Sequence, residues 1–308
     1  WFARSEIPYD EMWADGAHWL PKILGGKVIQ ARFVFNSDNE TLAEIGIQPE
    51  KDFLWLHLRD LPYFRSMLRA VEAGYYQDFW LEHPTLDIGS GDGHFAEITF
   101  DQPLDIGLDP WRDPNAHAAQ YRGHETLVQA YGDTQPFPND YFASVISNSV
   151  LEHIDGIDAV LVDTARTLKP GGWLLFCVPN QRYLTELGGA KLLDTLGLKC
   201  LATAYREWFR RMSLVYHADP PEVWQQRLEA AGFELIDWWH YFAPRSMRAL
   251  EIGHFFGVPS LVAQKLFGRW IIIPARWNQF LTECYVRRYT SPKRIADGTF
   301  SFFAARKR

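Results

Sequence analysis

Hydrophobic and polar positions change rhythm three times along the chain. Gln30 to Phe35 alternates as a half-buried strand does, and Asn36-Ser37-Asp38-Asn39 follows as a turn. From 48 to 84 the apolar positions Phe53, Leu54, Leu56, Leu58, Leu61, Phe64, Leu68 and Val71 recur at mixed threes and fours. That spacing predicts helices lying beside the next strand, with Pro62 interrupting them and starting a second helix. From 85 onward, short apolar runs alternate with helical stretches. The runs are Thr85–Gly89, Leu104–Asp109, Thr126–Tyr131, Ala143–Ser147, Trp173–Val178 and Phe233–Tyr241, and a last one, Thr299–Ala305, follows the Asp297-Gly298 turn. Strands that are apolar throughout are covered on both faces, so the pattern predicts a doubly wound α/β sheet.

The first of these strands runs into Asp87-Ile88-Gly89-Ser90-Gly91-Asp92-Gly93-His94. Glycines at such a turn let a ligand approach the backbone and adopt positive φ at little cost. The dinucleotide fingerprint would place its third glycine at 94, where this chain has His94, so a nicotinamide or flavin site is disfavoured. Asp109 ends the second strand about 20 residues past the glycines, a position suited to ribose hydroxyls. The structural alternative for Asp109 is a turn or helix cap before Pro110.

Bulk composition narrows the classes. The 308 residues carry a net charge of −7, which argues against a nucleic-acid partner. Cys177, Cys200 and Cys284 are too far apart for a metal knuckle or a CxxC pair, and three sparse cysteines suit a reducing, cytoplasmic setting. No metal site is expected. No secretory signal and no charge-free apolar window of about 18 residues is present, so no transmembrane segment is expected. The nearest approach, Phe255 to Pro274, carries Lys265, Arg269 and several Gly/Pro breaks. It reads as a buried or ligand-facing helix, with membrane-surface contact as the alternative.

Three further segments stand in order: Gly132-Asp133-Thr134-Gln135-Pro136-Phe137 after the third strand, Asn148-Ser149-Val150-Leu151-Glu152-His153-Ile154 after the fourth, and Leu168-Lys169-Pro170-Gly171-Gly172-Trp173 before the fifth. With the glycine loop, this set resembles the class I S-adenosylmethionine-dependent methyltransferases, in the branch that includes ubiquinone and menaquinone biosynthesis enzymes. The resemblance covers residues 80–241 well and 50–308 in outline. It implies a mostly parallel seven-stranded Rossmann-like sheet with an antiparallel last strand. It also implies S-adenosylmethionine as cofactor, with Asp87, Gly89, Ser90, Gly91 and Gly93 around the methionine part, Asp109 at the ribose and Asp133 at the adenine amino group. Gln135 and Phe137 would line the same wall, and Asn148 would face the ligand crevice. Asp133 could instead simply close a turn, and Leu168–Gly172 is a helix stop without chemistry.

Methyl transfer asks mainly for alignment and exclusion of water, positioning that is worth ~7–11 kcal/mol in favourable cases. Candidates for a proton acceptor are Glu152, His153, His217 and His240; the alternative for each is a structural hydrogen bond. Two insertions, 181–220 and 242–297, exceed the minimal fold and are rich in aromatics. They read as a helical cap over a small or lipid-like acceptor, or as a small core of their own.

Residues 1–47 carry a second resemblance. Glu6-Ile7-Pro8-Tyr9-Asp10-Glu11-Met12-Trp13-Ala14-Asp15, then His18-Trp19-Leu20-Pro21, Gly26-Lys27 and Phe33-Val34-Phe35, look like the C-terminal part of a Nudix hydrolase of the oxidised-purine nucleoside triphosphatase branch. That resemblance implies purine stacking by Trp13 and hydrogen bonding by Asp15. Gly16 stands where the family has a second Asp, and the Glu-rich Nudix box is absent, so the segment reads as a remnant or extension. A chain that begins at Trp1 rather than Met leaves open a bifunctional Nudix hydrolase–methyltransferase fusion whose other half lies upstream. A non-catalytic binding module of the same fold is the remaining alternative; the intact glycines argue against it. Residues 48–308 are expected to form the methyltransferase domain.

Overall fold

A computed structural model describes residues 7–24, 29–49, 51–110 and 121–308. Glu6 and Gly26-Lys27 of the Nudix resemblance lie outside these residues. The chain divides into two compact units, Trp1–Asp52 and Phe53–Arg308.

In the first unit a 3-10 turn, Tyr9–Glu11, precedes α1 (Gly16–Leu24) and an antiparallel hairpin of β1 (Ile29–Phe35) and β2 (Leu42–Pro49). Asp38 closes the hairpin by accepting from the Thr41 N–H and hydroxyl at 3.0 and 2.6 Å, as an Asx turn does. Trp13 packs edge-on against Phe35 at 5.6 Å, and the Trp19 indole donates to Asp15 at 3.0 Å.

In the second unit, α2 (Phe53–Leu58) and α3 (Tyr63–Tyr76) follow the expected helical spacing, and Pro62 caps α3 with a φ of −56°. The seven strands are β3 (Thr85–Ile88), β4 (Leu104–Leu108), β5 (His124–Val128), β6 (Phe142–Asn148), β7 (Leu168–Pro179), β8 (Phe233–Tyr241) and β9 (Phe300–Lys307). They form one sheet in the order β5-β4-β3-β6-β7-β9-β8. β9 runs antiparallel to both neighbours, and the five strands from β5 to β7 are parallel. The third strand begins two residues earlier than its apolar run implies, because His124 pairs with Leu104.

Side chains alternate across the sheet and so divide two cores. On β7 and β9, Leu175, Cys177 and Phe302 join one cluster with α3, while Leu174, Phe176 and Phe303 join the other. Phe302 stacks on Trp239 at 4.6 Å, and Phe303 stacks on Phe176 at 4.9 Å. The second face is covered by α5 (Ile157–Thr167) and α8 (Pro221–Ala230), which bury Val160, Leu161, Trp224 and Leu228. Complete burial of each large apolar side chain contributes ~1.5–3 kcal/mol, so both clusters hold the sheet's geometry firmly.

The insertion at 181–220 forms α6 (Gly188–Thr195) and α7 (Lys199–Met212). The one at 242–297 forms α9 (Pro244–Phe256), α10 (Val258–Phe267) and α11 (Arg276–Arg287). Here the expected buried or ligand-facing helix from Phe255 to Pro274 is corrected in its extent and burial, although Trp270 of this segment does line a cavity. Gly257 and Gly268 bound a separate α10, and Phe256, Leu266 and Phe267 point into solvent. No helix among the described residues is long and apolar enough to cross a membrane.

Candidate functional site

Strand order reverses between β3 and β6, and open α/β sheets bind ligands at such a point, beyond the carboxyl ends of the strands. β3 leaves the sheet there through Gly89, Gly91 and Gly93, with φ of +79°, +55° and +80°, and enters α4 (His94–Thr99) with Gly93 as its cap. The Gly89 and Ser90 N–H groups both donate to Leu108 O, at 2.7 and 3.2 Å, which ties the loop to the end of β4. The first two glycines answer different needs. A Cβ on Gly89 would run into both methyls of Val150, whereas a Cβ on Gly91 would meet no described atom within 4 Å. Gly91 therefore borders open space.

A cavity of about 100 Å³ lies over this loop. Asp87, Gly89, Ser90, Gly91 and Asn148 all line it, so five of the eight expected cofactor residues converge. Asp109 stands beside them and accepts from the Gly91 N–H at 3.0 Å. Gly93 sits behind the loop against the His124 ring. Asp133 lies apart: it is exposed and accepts from the Thr134 hydroxyl at 3.3 Å. Gln135 and Phe137 turn inward. The Gln135 amide bonds Gly132 O and the hydroxyls of Thr164 and Thr167, and Phe137 packs on Phe142 at 5.0 Å.

A domain model described as a methyltransferase domain matches residues 81–261. The chain belongs to this methyltransferase family. Curated relatives include a ubiquinone/menaquinone biosynthesis C-methyltransferase of Shewanella pealeana, 28% identical over 155 residues, which are 48% of this chain and 59% of that protein. The namesake from Vibrio parahaemolyticus is 30% identical over 170 residues, 48% of this chain and 63% of that protein. The chain thus spans about three fifths of the length of these relatives. A solved structure from Thermotoga maritima, described as an S-adenosylmethionine-dependent methyltransferase and possible histamine N-methyltransferase, aligns at a TM-score of 0.48 and 18% identity. It covers 82% of this chain and 92% of that one.

The four candidate proton acceptors of the methyltransferase are not among the residues lining the cavity. His153 Nδ1 lies 2.9 Å from Leu214 O, and His217 Nε2 lies 3.0 Å from Ile154 O, so both rings are tied to backbone carbonyls. His240 Nδ1 meets the Ser301 hydroxyl at 2.8 Å. Glu152 differs: it is 3% exposed, its Oε2 is buried without a hydrogen-bond partner, and burial pushes its carboxyl up to about 8.

Several site residues escape a reading of sequence alone. Glu72 of α3 is fully buried and accepts from Asn148 Nδ2, the Ser149 hydroxyl and the Tyr241 hydroxyl at 2.8, 2.9 and 2.8 Å. Burial raises its pKa even against those bonds. Asp87 Oδ2 lies 2.9 Å from His124 Nε2, with both side chains nearly inaccessible. Arg65 and Arg69, one turn apart on α3, line the cavity. Neither makes an ion pair or a side-chain hydrogen bond among the described residues; each lies over a ring, Trp270 and Phe95 respectively. The Arg-x-x-x-Arg-x-x-Glu spacing of 65, 69 and 72 was the available signal, and it is indistinguishable from an ordinary amphipathic helix.

Proposed function

We propose that this methyltransferase uses S-adenosylmethionine as methyl donor and acts on a small or lipid-like acceptor. The observation that carries the reading is the open space in front of Gly91, bordered by Asp87, Asn148 and the Asp109 carboxylate at the switch point of the sheet. The residues present fit the group. Asn148 and Ser90 line the cavity, and each has a buried oxygen, Oδ1 and Oγ, with no partner, although buried polar atoms are normally satisfied. Bound there, S-adenosylmethionine supplies a methyl group on a sulfonium that is already a good leaving group.

The chain's own contribution is binding and alignment. Gly91 lets the backbone close on the ligand, Asp109 receives ribose hydroxyls, and Asp133 remains the candidate for the adenine amino group. Arg65 and Arg69 meet a carboxylate. Asn148 is held in orientation by Glu72. None of the four catalytic candidates lines the cavity, and Glu152, raised by burial to about 8, keeps its proton at neutral pH, so we assign no proton acceptor and leave alignment as the chain's contribution. The names of the curated relatives favour an aromatic, lipid-tailed acceptor. Cys200 and Cys284 are exposed free thiols, which suits the cytoplasm.

For the first unit we keep the reading of a Nudix-type remnant, supported by its helix-and-hairpin form and the Trp13–Phe35 contact. Asp15 already accepts from Trp19, which competes with a purine role. The test of the main reading is transfer of radiolabel from methyl-tritiated S-adenosylmethionine to a prenylated hydroquinone. Label in the organic phase that requires Asn148 supports it; label that survives Asn148→Ala unchanged contradicts the assigned site.

A further inference from the structure

The second insertion is turned inside out for a solvated cap. On α11 the apolar positions Trp277, Phe280, Leu281 and Cys284 fall on one helix face, and that face is the exposed one: Trp277 is 74% and Leu281 80% accessible. The charged residues turn the other way. Arg276 and Arg287 both close on Glu283, at 2.8 and 2.5 Å, and Glu283 is buried. α10 repeats the arrangement with Leu261, Val262 and Leu266 outward, and α9 ends on Phe255 and Phe256, the latter 73% accessible. Ile272 and Ile273, on the segment between α10 and α11, are exposed as well. Large apolar side chains exposed on each of three consecutive helices are more than the scattered single residues normal on a soluble surface.

Charge says what covers it. Residues 242–297 hold nine lysines and arginines against three acids, in a chain whose net charge is −7. Lys265 and Arg269 are exposed immediately beside Leu266 and Phe267, without an ion pair among the described residues. Outward aromatic and aliphatic side chains flanked by such bases match an interface of acyl chains and anionic headgroups. The placement also has a use: Trp270, on the segment joining α10 to α11, lines the cavity and lies over Arg65.

We infer that α9–α11 form a docking face for an anionic phospholipid bilayer, through which a lipid-like acceptor enters the cavity beside Trp270. The inference deepens the lipid-like acceptor reading and rests on it. A second copy of the chain is the competing occupant.

The test is flotation of the whole chain with vesicles of phosphatidylcholine alone and with roughly 30 mol% phosphatidylglycerol, a composition that supplies negative surface potential. Wild-type protein floats with the anionic vesicles. Phe280→Ser/Leu281→Ser and, separately, Lys265→Glu/Arg269→Glu weaken that binding about tenfold or more. Titration with S-adenosylhomocysteine runs alongside and is unchanged in both variants, which shows them folded and separates docking from cofactor use. Absence of binding to anionic vesicles, or equal binding by the variants, overturns the inference. So does a concentration-dependent dimer in sedimentation velocity that Phe280→Ser/Leu281→Ser abolishes.

Discussion

Asn148, the last residue of β6, donates its amide to the Glu72 carboxylate of α3 at 2.8 Å. The bond crosses from the helix layer to the carboxyl end of the sheet, and Asn148, which lines the cavity, keeps a buried Oδ1 without a partner. Three donors converge on Glu72 with no solvent around it. Glu72→Ala strands all three, and each unsatisfied buried group costs ~1–3 kcal/mol. Urea denaturation should show a loss of about 3–5 kcal/mol; a loss below about 1 kcal/mol would mean that water replaces the carboxylate freely.

Glu152 sets a pH dependence of stability. Its carboxyl is raised by burial from 4.5 to about 8, with Glu72 adding to the rise and Arg69 opposing it. The folded chain therefore holds a proton that the unfolded chain releases, and stability is lost as pH rises from about 4.5 through about 8. Glu152→Gln should match wild type near pH 5 and exceed it near pH 8.5, by on the order of a few kcal/mol. Thermal unfolding at the two pH values checks this, and identical pH profiles would refute it.

The two glycines at the head of the loop separate folding from binding. Gly89→Ala combines positive φ with collision against Val150 and should cost ~2–4 kcal/mol of stability. Gly91→Ala meets no described atom and should cost about 1 kcal/mol while abolishing measurable S-adenosylhomocysteine binding. Calorimetric unfolding and titration of both variants decide the matter; a Gly91→Ala protein that binds normally removes the loop from the cofactor site.

Arg65 and Arg69 divide the ligand chemically. If they receive a carboxylate, Arg65→Ala/Arg69→Ala should weaken S-adenosylhomocysteine by tenfold or more, since charge-assisted hydrogen bonds contribute ~1.5–3 kcal/mol each. 5′-Methylthioadenosine, which lacks the carboxylate, should bind wild type and variant alike. Equal weakening of both ligands would mean that the arginines act through packing, and weakening of neither would assign them to the acceptor.

Much of this architecture is legible in the chain because it rests on local chemistry. The apolar runs mark strands buried on both faces, and positive φ at 89, 91 and 93 requires glycine wherever a ligand loop leaves the sheet. Asp87, Asn148 and the loop come together because all stand at the carboxyl ends of β3 and β6, which are parallel neighbours. What stays hidden depends on rotation about helices. Arg65, Arg69 and Glu72 look like one polar stripe of α3, although Glu72 is buried and the arginines line the cavity. Gln135 and Phe137 occupy a stretch that suggests a ligand wall, but their side chains brace α5 and β6. Phe255–Pro274 looks buried by hydropathy, and only the folded chain shows its apolar side facing out.

The central claim, that the loop over β3 holds S-adenosylmethionine, is tested most directly by isothermal titration of the whole chain with S-adenosylhomocysteine, using wild type and Asp109→Ala. Asp109 holds the Gly91 N–H and offers its carboxylate to the ribose. The account predicts saturable binding by wild type and a loss of at least about tenfold, roughly 1.4 kcal/mol, in the variant. No binding at millimolar ligand, or equal affinity of the two proteins, would contradict it.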